Sequence, residues 1–203
     1  MRVPLLLFFA LAAQAPAPPA SRIAILVDTS EAAAPALAKI RAGVAAFADA
    51  VGPEHELLLA STGRRLQVRV QPTTDHAKVR SAAGGLTADN GPTPLVDALR
   101  EIDERFMRKM TARHAVFVII TADGSESSVR TDKDAFKVWA EDLVRREATV
   151  HAIVLKVRGN GLPEAVADEL ARVTRGHFET ISSGNPLPDR LKTLAQTLFG
   201  GEP

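Results

Sequence analysis

Three segments are apolar almost without interruption: residues 23–27 (IAILV), 115–120 (AVFVII) and, broken only by His151, 150–155 (VHAIVL). Runs this short and this rich in β-branched residues predict strands covered on both faces, because alternation disappears when neither side meets water. Between them the period changes. Leu37, Ile40, Val44, Phe47 and Val51 recur at three- and four-residue steps, as do Leu95, Leu99, Ile102, Phe106 and Met110. Phe136, Trp139 and Leu143 mark a third helix, with Thr131 or Asp132 as its N-cap. Leu162, Val166, Leu170 and Val173 mark a fourth, and Leu187, Leu191, Leu194 and Leu198 a fifth, with Pro188 in its first turn.

Residues 56–60 (ELLLA) lead through Ser61-Thr62-Gly63-Arg64 into residues 65–70 (RLQVRV), where Leu66, Val68 and Val70 alternate with polar positions. That predicts a hairpin ending in a half-exposed edge strand. Residues 176–181 (GHFETI) predict a short last strand. Strands alternating with helices in this order give an α/β sandwich: a mostly parallel sheet, one antiparallel edge strand, and helices on both faces.

The N-terminus reads differently. Arg2 precedes an apolar run over residues 3–13, and Ala13-Gln14-Ala15 fits a small-residue cleavage site. Residues 1–15 therefore predict a signal peptide, too short to span a membrane. Residues 16–21, proline-rich at first, predict a tether ahead of a domain over residues 22–199. No later stretch is long and apolar enough for a span, so the product is expected in the periplasm or outside the cell.

Composition narrows the chemistry. The 203 residues carry 25 lysines and arginines against 24 acids, and loss of Arg2 with the leader would leave 24 of each. This balance argues against nucleic-acid binding through bulk positive charge. The absence of cysteine excludes disulfides, thiolate metal sites and thiol nucleophiles. Aromatic residues make up only 4%, which disfavours stacking platforms for bases or sugars. The chain has no G-x-S-x-G, no Walker A sequence and no G-x-G-x-x-G after its first strand. Position 30 is serine, not the second acid that a haloacid-dehalogenase-type phosphatase would need after Asp28. The five histidines are scattered; His114 and His151 read as structural groups, and Arg64-Arg65 and Arg145-Arg146 as solvated surface.

In an open α/β sheet ligands sit beyond the carboxyl ends of strands, where strand order reverses. Asp28-Thr29-Ser30 follows the first apolar run, and Thr121-Ala122-Asp123-Gly124 follows the second. A polar turn, Asp89-Asn90-Gly91-Pro92-Thr93-Pro94, opens the helix at Leu95. Carboxylate and hydroxyl oxygens are ligands for hard cations such as Mg²⁺.

These segments resemble the motifs of von Willebrand factor type A domains. Asp28-Thr29-Ser30-Glu31-Ala32 is similar to D-x-S-x-S. Gly91-Pro92-Thr93-Pro94-Leu95, with Asp97-Ala98-Leu99, is similar to G-G-T-P-L-x-D-A-L. Ile120-Thr121-Ala122-Asp123-Gly124 is similar to a strand ending in T-D-G. The resemblance covers residues 22–199 and implies the sheet order 3-2-1-4-5-6. It also implies a metal-ion-dependent adhesion site. Ser30 would be a direct ligand of Mg²⁺ or Mn²⁺, and Thr93 a ligand directly or through water. Asp28 and Asp123 would act mainly through bridging waters, and a partner protein's carboxylate would complete the shell. Ala32 stands where the family has a second serine ligand, and Pro92 stiffens the threonine loop.

The polar run Ser125, Glu126, Ser127 and Ser128 would lie on the rim as a partner-contacting loop. The expected activity is binding to another protein, not catalysis. A metal-dependent hydrolase using Asp28 and Asp123, and a structural envelope protein with a vestigial site, are the other possibilities.

Overall fold

A computed structural model describes residues 20–110, 113–128, 132–157 and 161–199. Its six strands are β1 (Ser21–Asp28), β2 (Glu56–Thr62), β3 (Leu66–Thr73), β4 (His114–Ala122), β5 (Thr149–Leu155) and β6 (Phe178–Ile181). They form one sheet in the order β3-β2-β1-β4-β5-β6, parallel throughout except for the antiparallel β2–β3 edge. The helices are α1 (Leu37–Ala50), α2 (His76–Gly84), α3 (Leu95–Ile102), α4 (Lys133–Arg145), α5 (Leu162–Val173) and α6 (Leu187–Phe199). The residues assigned to the leader, and residues 16–19 of the tether, lie outside the described residues; β1 starts at Ser21, the last position of that tether. No described helix is long and apolar enough to cross a membrane.

Alternate residues of the central strands feed two cores. Ile23, Ile25 and Val27 of β1 join Val116, Val118 and Ile120 of β4 in a core closed by α1, α2 and α6. Ala24 and Leu26 join Phe117 and Ile119 in the opposite core, closed by α3, α4 and α5. The uninterrupted apolar runs arise because both sets of side chains leave water.

The structure changes several local expectations. The helix expected from Leu95 to Met110 stops at Ile102, and a wider π turn takes over Asp103–Met107. Its first residue explains the break: Asp103 is wholly buried, accepting from Trp139 Nε1 at 3.0 Å and from Arg146 Nη2 at 2.9 Å. Arg146 is therefore no solvated surface residue; its guanidinium also reaches Asp142 at 3.0 Å. Helix α2, not individually expected, buries only Val79 and Ala83. Ser61-Thr62 and Thr121-Ala122 extend β2 and β4 instead of beginning turns. Asp132 caps α4 by accepting from Asp134 N, whereas Thr131 lies outside the described residues.

Helices α4 and α5 end alike. Glu147 (φ 56°) and Arg175 (φ 59°) are left-handed, and the next N–H returns to the helix, from Ala148 to Leu143 O at 2.9 Å and from Gly176 to Ala171 O at 2.8 Å. This is the Schellman closure, built without glycine at the left-handed position.

His151 of β5 is buried, as its place in a strand predicts, and its Nδ1 accepts the His177 N–H at 3.0 Å. The ring is thus neutral. Burial first, then the neighbouring His177 and His114, push its pKa down to about 4. The unfolded chain binds this proton near pH 6.5, so between pH 6.5 and 4 it holds more protons than the folded chain. Stability is full above that window and falls through it by about 3 kcal/mol. Urea unfolding at pH 7 and pH 4.5 should show this loss, and H151Q should show a markedly smaller one.

Candidate functional site

The two central parallel strands end side by side, with Val27 opposite Ile120. Asp28, last in β1, is 1% exposed. Its Oδ1 accepts the Ser30 N–H at 2.7 Å. Its Oδ2 accepts the Thr121 hydroxyl at 3.0 Å and the Ala122 N–H at 3.1 Å. The carboxylate is thus a clasp between β1 and β4. Burial raises its pKa, and the N–H groups of Ala122 and Ser30 partly offset that rise.

Thr93 is brought to the same end by backbone pairing. Its N–H donates to Ser125 O at 3.0 Å, and its carbonyl accepts from Ser127 N at 2.9 Å. Nearby, Glu31 N donates to Gly91 O at 3.2 Å, joining the loop after β1 to the threonine loop. A cleft of about 440 Å³ lies over these loops, lined in part by Ser30, Glu31, Ala32, Pro92, Gly124 and Ser125. Contact within it is close: a Cβ added to Gly124 would stand 2.5 Å from that of Ala32.

Two oxygens stand out. Ser30 Oγ and Asp123 Oδ1 are buried and have no hydrogen-bond partner. Buried polar groups are seldom left so, because each forgoes the interactions it had with water. Both belong to residues singled out from the sequence. The other Asp123 oxygen, Oδ2, lies 3.6 Å from Lys156 Nζ. Thr93 Oγ1 is also buried and meets only Thr62 Oγ1, at a long 3.4 Å. Neutral hydroxyls and carboxylate oxygens match what a hard cation takes up. No cluster of three or more histidines, cysteines or acids suited to a metal occurs among the described residues.

The rim loop divides. Ser125 and Ser127 are exposed, but Glu126 and Ser128 turn inward. Glu126 accepts from Leu95 N at 3.1 Å and from the Ser128 hydroxyl at 2.5 Å, while Ser128 Oγ accepts from Asp97 N at 3.0 Å. Together they cap α3, whose own N-cap position, Pro94, supplies no side-chain acceptor. Burial raises the Glu126 pKa, opposed by donors from Ser128 and Leu95.

Sequence reasoning missed Lys156 and this capping role. The rule that found Asp28 and Asp123, reading the residues just after an apolar run, also points to Lys156 after residues 150–155. The cap carries no local signal, because Glu126 and Leu95 are 31 positions apart.

A family model described as the von Willebrand factor type A domain matches residues 23–126. Among solved structures, a von Willebrand factor type A protein from Catenulispora acidiphila superposes with a TM-score of 0.73 at 13% identity. That match covers 91% of this chain and 44% of the other, so the chain spans less than half of that protein's length. BatB from Bacteroides thetaiotaomicron gives 0.66 at 14% identity, covering 87% and 98% of the two chains. Proximal thread matrix protein 1 from the mussel byssus, with a zinc-occupied MIDAS motif, gives 0.67 at 14% identity, covering 88% and 46%. These identities establish a shared fold. No curated protein sequence matches the chain.

Proposed function

The chain belongs to the von Willebrand factor type A domain family, whose members are protein-interaction and metal-site modules, and on that footing we propose that it is an exported protein-binding module. It engages its partner over the cleft at the ends of β1 and β4, through a divalent cation, Mg²⁺ or Mn²⁺. The observation that carries this reading is the pair of buried, unpartnered oxygens, Ser30 Oγ and Asp123 Oδ1, on the two loops that meet there.

Ser30, Thr93 and Asp123 would hold the cation. Bound, it would offer a Lewis-acidic position to a partner carboxylate. The protein's own part is to keep these oxygens fixed and dry. Asp28 is saturated by three donors from its own chain, so it positions Ser30 and adds negative charge without needing to be a ligand. Exposed Glu31, Pro92 and Ser125 surround the cleft and would meet the partner. The role is binding and not catalysis.

Position 32 supplies the test. A32S returns a neutral oxygen where the family motif has a ligand, and a magnesium-type ion favours a complete octahedron of oxygens. Calorimetry with Mn²⁺ should show A32S binding about tenfold more tightly than the parent, or ~1.4 kcal/mol. D123A should bind in neither background. Envelope proteins captured on the immobilised parent should be released by EDTA and should be absent from D123A. Absence of binding at millimolar cation in both the parent and A32S would rule the reading out.

A further inference from the structure

Lys156 directly follows β5, and its N–H donates to Ile181 O at 2.8 Å, which fixes its backbone between β5 and β6. Its side chain, about half exposed, reaches two carboxylates. The ammonium bonds Glu164 Oε2 in the first turn of α5 and stands 3.6 Å from Asp123 Oδ2. Its hydrogen bond with Glu164 raises the lysine pKa, and Asp123 adds to the rise, so the group stays charged. Asp123 is nearly buried and has no other recorded ion-pair partner among the described residues. Its two oxygens are therefore unequal: one faces a fixed positive charge and the other is unpartnered.

We infer that Lys156 sets the cation affinity of the site, its ammonium competing with a divalent ion for the charge of Asp123 while Glu164 holds it partly back. This rests on the cation reading above. A dication on Asp123 would lie within a few ångströms of the ammonium. At the high effective dielectric of a half-exposed group, that repulsion corresponds to roughly tenfold in affinity. The lysine thus compensates the buried carboxylate when no metal is bound, and weakens the site when one is. Glu164 tunes the balance: without it, the ammonium is free to turn wholly to Asp123.

The test is Mn²⁺ calorimetry at low ionic strength on the parent, K156Q, K156R, E164Q, the K156Q/E164Q double variant and D123A. K156Q should bind about tenfold more tightly and K156R like the parent, because only the charge matters. E164Q should bind more weakly than the parent, and this loss should largely vanish in the K156Q background. Thermal unfolding in EDTA should be nearly unchanged by K156Q, since the residue is half exposed. If the parent binds and K156Q binds no better, the inference is wrong and the cation site stands. If neither binds at millimolar Mn²⁺, both fail.

Discussion

Replacing Asp103 by alanine should destabilise the domain by about 3–5 kcal/mol, lowering the melting temperature by about 10 °C or more. The carboxylate is wholly buried and holds both the Trp139 indole N–H and the Arg146 guanidinium. Removing it leaves a cation that is only 21% exposed with one remaining partner, Asp142, which Arg108 and Arg145 already share. The indole N–H loses its acceptor as well, a further cost for a buried donor. D103N should fall between parent and alanine, keeping an acceptor for Trp139 but losing the ion pair. Because Trp139 is the only tryptophan, its fluorescence reports on this junction directly. Urea unfolding followed by that signal should shift strongly in D103A. A shift below about 1 kcal/mol would mean that Arg146 finds water at little cost.

G176A should be comparably damaging for a different reason. A Cβ on Gly176 would stand 1.8 Å from Val150 O, an overlap with backbone that no side-chain rotation relieves. Either the closing turn of α5 must open, losing the Gly176 N–H bond to Ala171 O, or β5 must shift at the edge of the opposite core. We expect a loss of at least about 3 kcal/mol, since overpacking against rigid backbone lies at the upper end of such costs. G43A makes an informative contrast. Its new Cβ would meet Leu191 Cδ1 at 2.7 Å, the end of a side chain that can turn away. Thermal unfolding should place G43A well above G176A.

How far the sequence carried differs from element to element. Strands β1, β4 and β5 were legible because burial on both faces removes the polar positions that would blur a short run. Helix α2 was not, since two buried residues, Val79 and Ala83, are too few to establish a period. The interruption of α3 was hidden for the opposite reason. The apolar spacing continues to Met110, while the cause of the break, Asp103, is satisfied by residues 36 and 43 positions away. The same separation hid the role of Arg146.

At the site, Ser30, Thr93 and Asp123 could be picked out because a topological switch point gathers whatever follows the strands. The inward turn of Glu126 and Ser128 could not, because it depends on Thr93 pairing with the loop after β4. That pairing makes the threonine loop and the rim loop one body, with α3 capped upon it.

The placement of the cleft at the ends of β1 and β4 has a mechanical meaning. These strands are parallel, adjacent and central, matched from Ser21 opposite His114 to Val27 opposite Ile120, and clasped at their tips by Asp28. A tug applied along the strand axis to anything gripped by Ser30 and Asp123 enters both strands together. It meets the ladders that flank them lengthwise, so many hydrogen bonds resist at once instead of parting one after another. The β2–β3 edge, bulged near Leu59, stands outside that line of force. The fold is therefore stiffest where it would be pulled.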